Sequence, residues 1–221
     1  MAEIHTRKSF DKELQAMKQD ILKMGTVVEE MLVGSIEALR ERNVPLAEEI
    51  IAKDDVVDDY NMAIERRCLR LLALQQPMAR DLRTIAAGLY IIKDVERMGD
   101  YALDIAKAAK KLADEESVKP LVDIPDIARI VQKMLHDSLQ AYVDRNVDAL
   151  PEIAQEDDDV DILYRKVRDD LIALIEKTPQ AAMRAVELIL VARYLERIAD
   201  HITNVGERIA YMETGEIREL H

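Results

Sequence analysis

Apolar residues recur every three or four positions through most of the chain, the period of one face of an α-helix. The first run passes through Leu14, Met17, Ile21, Met24, Val28, Leu32, Ile36 and Leu39, with Ser9 placed to cap it and Glu13 in its acidic first turn. Arg-Asn-Val-Pro at 42–45 stops that helix and supplies a proline suited to the first turn of the next, which the pattern carries to about Gln76. Pro77 separates it from a third helix over roughly 79–113. The stretch 114–125, with two prolines and no apolar period, reads as a linker, and three further helices follow at about 126–145, 148–177 and 180–213.

The second three helices repeat the first. Moving 31–61 forward by 103 places Met31 on Met134, Ser35 on Ser138, Arg42-Asn43-Val44 on Arg145-Asn146-Val147 and Asp54-Asp55 on Asp157-Asp158, with 13 identities in 31 positions. An offset of 100 then lays KDVERMGD at 93–100 on RYLERIAD at 193–200. This period is longer than the roughly 20–50 residues of solenoid repeats, so it reads as duplication of one three-helix unit. The expected fold is all-α: six long helices forming two tandem, pseudo-symmetric three-helix bundles, residues 1–118 and 119–221.

Composition narrows the function. Six glycines and six prolines, widely scattered, are too few for the turns of a β-sandwich and form no phosphate-cradling fingerprint. A net charge of −13 with 4% aromatics and no tryptophan argues against nucleic acid as a partner. One cysteine, Cys68, cannot form an internal disulfide, and charges interrupt every apolar stretch well before the ~18 residues of a membrane span, so the expected location is cytoplasmic. No nest of basic residues and glycine suggests a phosphate site.

The acidity itself is ordered. Glu96, Asp100 and Asp104 fall at i, i+4, i+8 on the third helix, bordering its apolar stripe; Glu196, Asp200 and Asn204 are their counterparts on the sixth. Each middle helix adds a second acidic run, Asp54, Asp55, Asp58 and Asp59 in one repeat and Asp157, Asp158, Asp159 and Asp161 in the other. Facing rows of carboxylates, with Asp54 and Asp58 or Asp157 and Asp161 as the second wall, can hold a hard or borderline metal through oxygen. A salt-bridge ladder is the other reading, with Lys93, Arg97, Arg193 and Arg197 three or four residues away. A metal-dependent phosphohydrolase is the alternative enzymatic function. Histidines are not clustered and no Glu-x-x-His occurs, against a ferritin-like oxidase. His201 reads as a surface histidine or an added nitrogen ligand. Met24, Met31, Met98 and Met134 read as core filling, Cys68 as a helix thiol among arginines, and Pro77, Asp81 and Arg83 as a helix stop, a first-turn acid and its ion-pair partner.

ERMGD at 96–100 and ERIAD at 196–200, at equivalent places in two three-helix repeats, together with MGTVVEE at 24–30, KDDVVD at 53–58 and QQPMARDLR at 75–83, resemble the PhoU family in order and over essentially the whole chain. The resemblance implies a non-enzymatic cytoplasmic regulator that restrains the phosphate-starvation response. Its implied partners are the ATPase subunit of the phosphate ABC transporter and a PhoR-type sensor histidine kinase, so that any association with the membrane runs through them. It also implies homodimers, and multinuclear clusters of iron, zinc or a similar transition metal on Glu96, Asp100 and Asp104 in the first repeat and Glu196 and Asp200 in the second. Ala199 and Asn204 depart from the first repeat's Gly99 and Asp104, which predicts weaker metal loading in the second.

Overall fold

The computed structural model describes residues 2–75, 77–114, 123–216 and 219–220, with side chains from residue 7 onward and not at 75. Seven α-helices fill it: α1 (Ala2–Glu41), α2 (Val44–Ala52), α3 (Asp54–Gln75), α4 (Arg80–Leu112), α5 (Asp123–Asp144), α6 (Leu150–Lys177) and α7 (Ala182–Thr214). They make two tandem three-helix bundles, α1, α2–α3 and α4 in the first and α5, α6 and α7 in the second. The expected linker falls mostly at 115–122, outside the described residues, as do the 118/119 boundary, Gln76, His221 and the side chain of His5.

Three boundaries differ from the pattern-based expectation. Ser9 caps nothing, because α1 begins at Ala2; Arg7 bonds Asp11 at 3.0 Å one turn on and Phe10 is buried, so the helix already has side-chain support before Ser9. The second helix is interrupted at Lys53, where the backbone stays right-handed (φ −70°, ψ −17°) and Val56 N–H bonds back to Lys53 O at 3.0 Å. This is a local tightening, favoured because Asp54 and Asp55 suit the positive end of a new helix. In the second repeat Pro151, rather than a proline equivalent to Pro45, sets the start of α6, leaving a 3₁₀ turn at Val147–Ala149.

Elsewhere the repeat is reproduced down to single bonds. Asn43 accepts from Leu46 N–H at 3.1 Å and Asn146 from Asp148 N–H at 3.0 Å, and the arginine before each has a positive φ, 55° at Arg42 and 56° at Arg145. Ser35 and Ser138 are both buried and donate to the carbonyls of Leu32 and Leu135 at 2.8 and 3.0 Å. Lys53 pairs with Glu30 at 3.0 Å; at the equivalent positions Glu156 pairs with Lys133 at 2.7 Å, the same bridge with its charges exchanged.

The bundles meet along α4 and α7, which run antiparallel. Arg80 bonds Glu213 at one end, Arg208 lies 4.9 Å over the Tyr90 ring, Asp94 meets His201, Tyr101 stacks on Tyr194 at 5.8 Å, and Lys111 pairs with Glu187 at the other end. The Asp94–His201 and Tyr194–Tyr101 pairs are images of each other under the repeat. α1 also packs on α5, where a Cβ on Gly25 would stand 2.4 Å from Leu139 Cδ2, so any larger residue would make the Leu139 side chain move. One apolar cluster consequently runs through both bundles. Met17, Met24, Met31, Met98 and Met134 are fully buried in it, flexible filling for an irregular interior. Cys68 is buried with its Sγ 3.3 Å from Met17 Sδ; burial outweighs the neighbouring Arg67 and pushes its thiol up to about 12. Among the described residues no helix is long and apolar enough to cross a membrane.

Candidate functional site

The carboxylate rows form where the middle helix of each bundle lies against the third. Val57, buried on α3, faces Gly99 of α4, where an added Cβ would come within 3.3 Å of Val57 Cγ1. A Cβ there would ask Val57 to give by a few tenths of an ångström; in the second repeat Ala199 fills the equivalent place and the row forms there as well. Charge coupling shows which groups share the resulting field. The Glu96 carboxyl is raised above its usual range first by burial and then by Asp100, with Arg97 opposing and Asp58 adding. Asp54 is raised by burial and then by Asp100 and Asp58. In the second repeat Glu196 is raised by burial and then by Asp200; Arg193 and Arg197 oppose, and Asp161 adds. Asp157 stands one turn before Asp161 on α6.

The third member of each row turns elsewhere. Asp104 pairs with Lys107 at 3.1 Å, and the Tyr194 phenol is raised by burial and then by the Asp104 charge. Asn204 donates to Asp94 at 3.3 Å, and His201 shares the same carboxylate oxygen at 2.9 Å. His201 is therefore neither a surface histidine nor a neighbour turned toward the second carboxylate row: it joins α7 to α4. Its partner lies 107 residues back in the chain, which is why spacing along one helix gave no sign of it.

Arginines close the rows. Arg97 donates to Asp100 at 2.7 Å and stands 3.6 Å from Glu96; Arg197 donates to Asp200 at 2.9 Å and stands 3.9 Å from Glu196, which Arg193 also grips. Lys93, expected in the same ladder, pairs instead with Glu65 on α3 at 3.5 Å. One oxygen is left over: Glu196 Oε2 is buried without a hydrogen bond. In kind, these all-oxygen donors suit a hard or borderline cation. In arrangement they do not fit a preformed cluster, because among the described residues no three Asp, Glu, His or Cys side chains converge closely enough to hold a metal ion.

A second polar constellation lies at the start of α4, where the sequence suggested only a local Asp81–Arg83 pair. Asp81 pairs with Arg7 at 2.9 Å rather than with Arg83, which instead reaches the Met212 carbonyl at 3.5 Å. Arg80 and Arg145 each bond Glu213 at 2.8 Å. Nothing in local spacing signals this group, since it is assembled from three helices and the turn after α5.

The PhoU domain matches this chain twice, over residues 21–109 and 124–209. A phosphate-specific transport system accessory protein PhoU homolog of Clostridium acetobutylicum is 39% identical over 98% of this chain and 99% of its own, and one of Aquifex aeolicus is 42% identical over 93% of each. The crystal structure of PhoU from Pseudomonas aeruginosa superposes with a TM-score of 0.91 at 33% identity, covering 94% of this chain and all of that one. That of the phosphate transport system regulatory protein PhoU from Streptococcus pneumoniae gives 0.88 at 32% identity, covering 95% and 99%. With the family's domain in both halves and its fold along the whole length, the chain belongs to the PhoU family.

Proposed function

We propose that this protein restrains the phosphate-starvation response when phosphate is plentiful, acting by binding rather than by bond chemistry. The observation that carries the reading is full-length similarity to accessory proteins of phosphate-specific transport systems. Its partners in this proposal are the ATPase subunit of the phosphate ABC transporter and a sensor histidine kinase, met at the cytoplasmic side of the membrane by a dimer of this chain. Long helices packed on one core present rigid surfaces, and an acidic exterior favours basic patches on partners through charge complementarity. The carboxylate rows have a place in this reading as charged, arginine-latched surface. Metal loading is a separate proposal, requiring the Arg97 and Arg197 heads to leave Asp100 and Asp200.

Deletion of the gene is expected to make phosphate-starvation genes constitutive, and affinity capture is expected to recover the transporter ATPase and the kinase in proportions that change with phosphate supply. Normal repression in the deletion strain would overturn the reading. Capture that is blind to phosphate would overturn its adaptor form.

A further inference from the structure

Where α4 begins and α5 and α7 finish, two arginines clasp one carboxylate. Arg80 Nη2 donates to Glu213 Oε2 and Arg145 Nη1 to Glu213 Oε1, both at 2.8 Å, and Arg145 Nη2 lies 3.5 Å from the Thr84 hydroxyl. Lys18, on α1, brings a half-buried ammonium into the same field. Burial and then the guanidinium groups of Arg145 and Arg80 hold this ammonium below its ordinary value, and Glu213 and Asp81 offset them only in part. Among the described residues no carboxylate reaches ion-pair distance of Lys18, and Asp81 is already engaged by Arg7 at 2.9 Å. With Asp81 offset by Arg7, Lys18, Arg80 and Arg145 outweigh Glu213 by two positive charges in a chain whose net charge is −13. The helix above them, α4, starts at Ala79 with a positive φ of 48° and no side-chain cap, so its positive end adds to the same field.

We propose that Lys18, Arg80 and Arg145, at the junction of α1, α4, α5 and α7, bind a free phosphate dianion, with the Glu213 carboxylate accepting the ligand's own O–H. A dianion matches the surplus charge. Each guanidinium has five N–H donors and the ammonium three, so sharing Glu213 leaves donors for the phosphate oxygens. Glu213 supplies selectivity: hydrogenphosphate carries a proton to give it, whereas sulfate carries none and meets only repulsion. Two of the four helices belong to each repeat, so a bound phosphate would fasten the bundles to each other, and its loss would loosen the same junction. The inference deepens the regulatory reading and rests on it only for the choice of ligand.

Isothermal titration and thermal unfolding with inorganic phosphate, at matched ionic strength against sulfate and chloride, test the site. Phosphate is expected to bind and raise Tm, sulfate to bind at least roughly tenfold more weakly, and Lys18→Met to weaken phosphate by roughly tenfold or more, the scale of one charge-assisted hydrogen bond. Glu213→Gln should erase the preference over sulfate. Lys18→Met keeps the length and apolar stem of the side chain, and its far-ultraviolet circular dichroism is expected to match the parent's. Phosphate should also protect Lys18 from acylation, read by mass spectrometry. Vesicles bearing phosphatidic acid separate esterified from free phosphate; binding there with none of inorganic phosphate would overturn the proposal. Equal effects of phosphate, sulfate and chloride, no binding at millimolar phosphate, or undiminished binding by Lys18→Met would each overturn it too. A chain that binds phosphate but fails to complement the deletion strain refutes the regulatory role and leaves the site standing; one that complements without binding phosphate does the reverse.

Discussion

At the scale of single residues the carboxylate rows behave as strained charge. Glu96, Asp54 and Glu196 are all raised, with burial as the first cause. The folded state therefore holds these protons longer than the unfolded chain does. As pH rises from the ordinary glutamate value of about 4.3, the unfolded form ionises first and the folded form loses stability until the folded-state pKa has been passed. Glu96→Gln removes one such contribution: relative to the parent it should gain a few tenths of a kcal/mol at pH 7, the size of a like-charge i, i+4 repulsion, and gain nothing below about pH 4. Denaturant unfolding at both pH values checks this, and an equal gain at both would refute it. The guanidinium of Arg97, 2.7 Å from Asp100, is the lock on the first row. Arg97→Ala should take up divalent manganese or zinc more tightly than the parent in calorimetry; unchanged affinity would show that the arginine does not close the row. The expectation of weaker loading at Asn204 belongs to the same measurement. Residue types and their spacing made these rows legible, yet the identity of their partners was not, because Lys93 chose Glu65 and His201 chose Asp94 across helix boundaries.

At the scale of elements, duplication permits comparison of like with like. Arg42 and Arg145 both occupy the left-handed position after a helix, where glycine is at ease and a side chain costs about 1 kcal/mol or more. Arg42 is exposed, whereas Arg145 is half-buried and holds Glu213. Arg42→Gly should accordingly raise stability by about 1 kcal/mol. Arg145→Gly should lower it, since hydrogen bonds between charged groups are worth about 1.5–3 kcal/mol. Thermal melts of the two variants decide the matter, and a shared sign would defeat the explanation. The exchanged bridge, Lys53–Glu30 against Glu156–Lys133, carries a related lesson. The repeat preserved an interaction while losing both residue identities, so identity counting along the sequence could not find it. Helix positions were legible from apolar period and from prolines at 45 and 77. The break at Lys53 was not, because no residue there forbids a helix and the backbone merely tightens.

For the whole molecule, the important fact is that two repeats share one apolar core. The halves are distinct in sequence and joined in packing: α4 lies on α7, and α1 meets α5 through the close approach at Gly25. A fragment of residues 1–118 would leave both faces bare, and it should self-associate or remain molten rather than fold as a monomer. Size exclusion and near-ultraviolet circular dichroism test this, and a compact monomeric fragment would show that the bundles are independent. The helical class, the duplication, the family and the carboxylate rows are all legible in the chain, since each is written in local period, local spacing or the recurrence of a motif. Packing of the helices is what makes arginines latch the rows, sets His201 and Asn204 on the seam between bundles, and brings Arg80 and Arg145 onto Glu213 within the field of Lys18. Those contacts join residues far apart in the chain, and their partners are set by how helices cross, which no periodicity within one helix records.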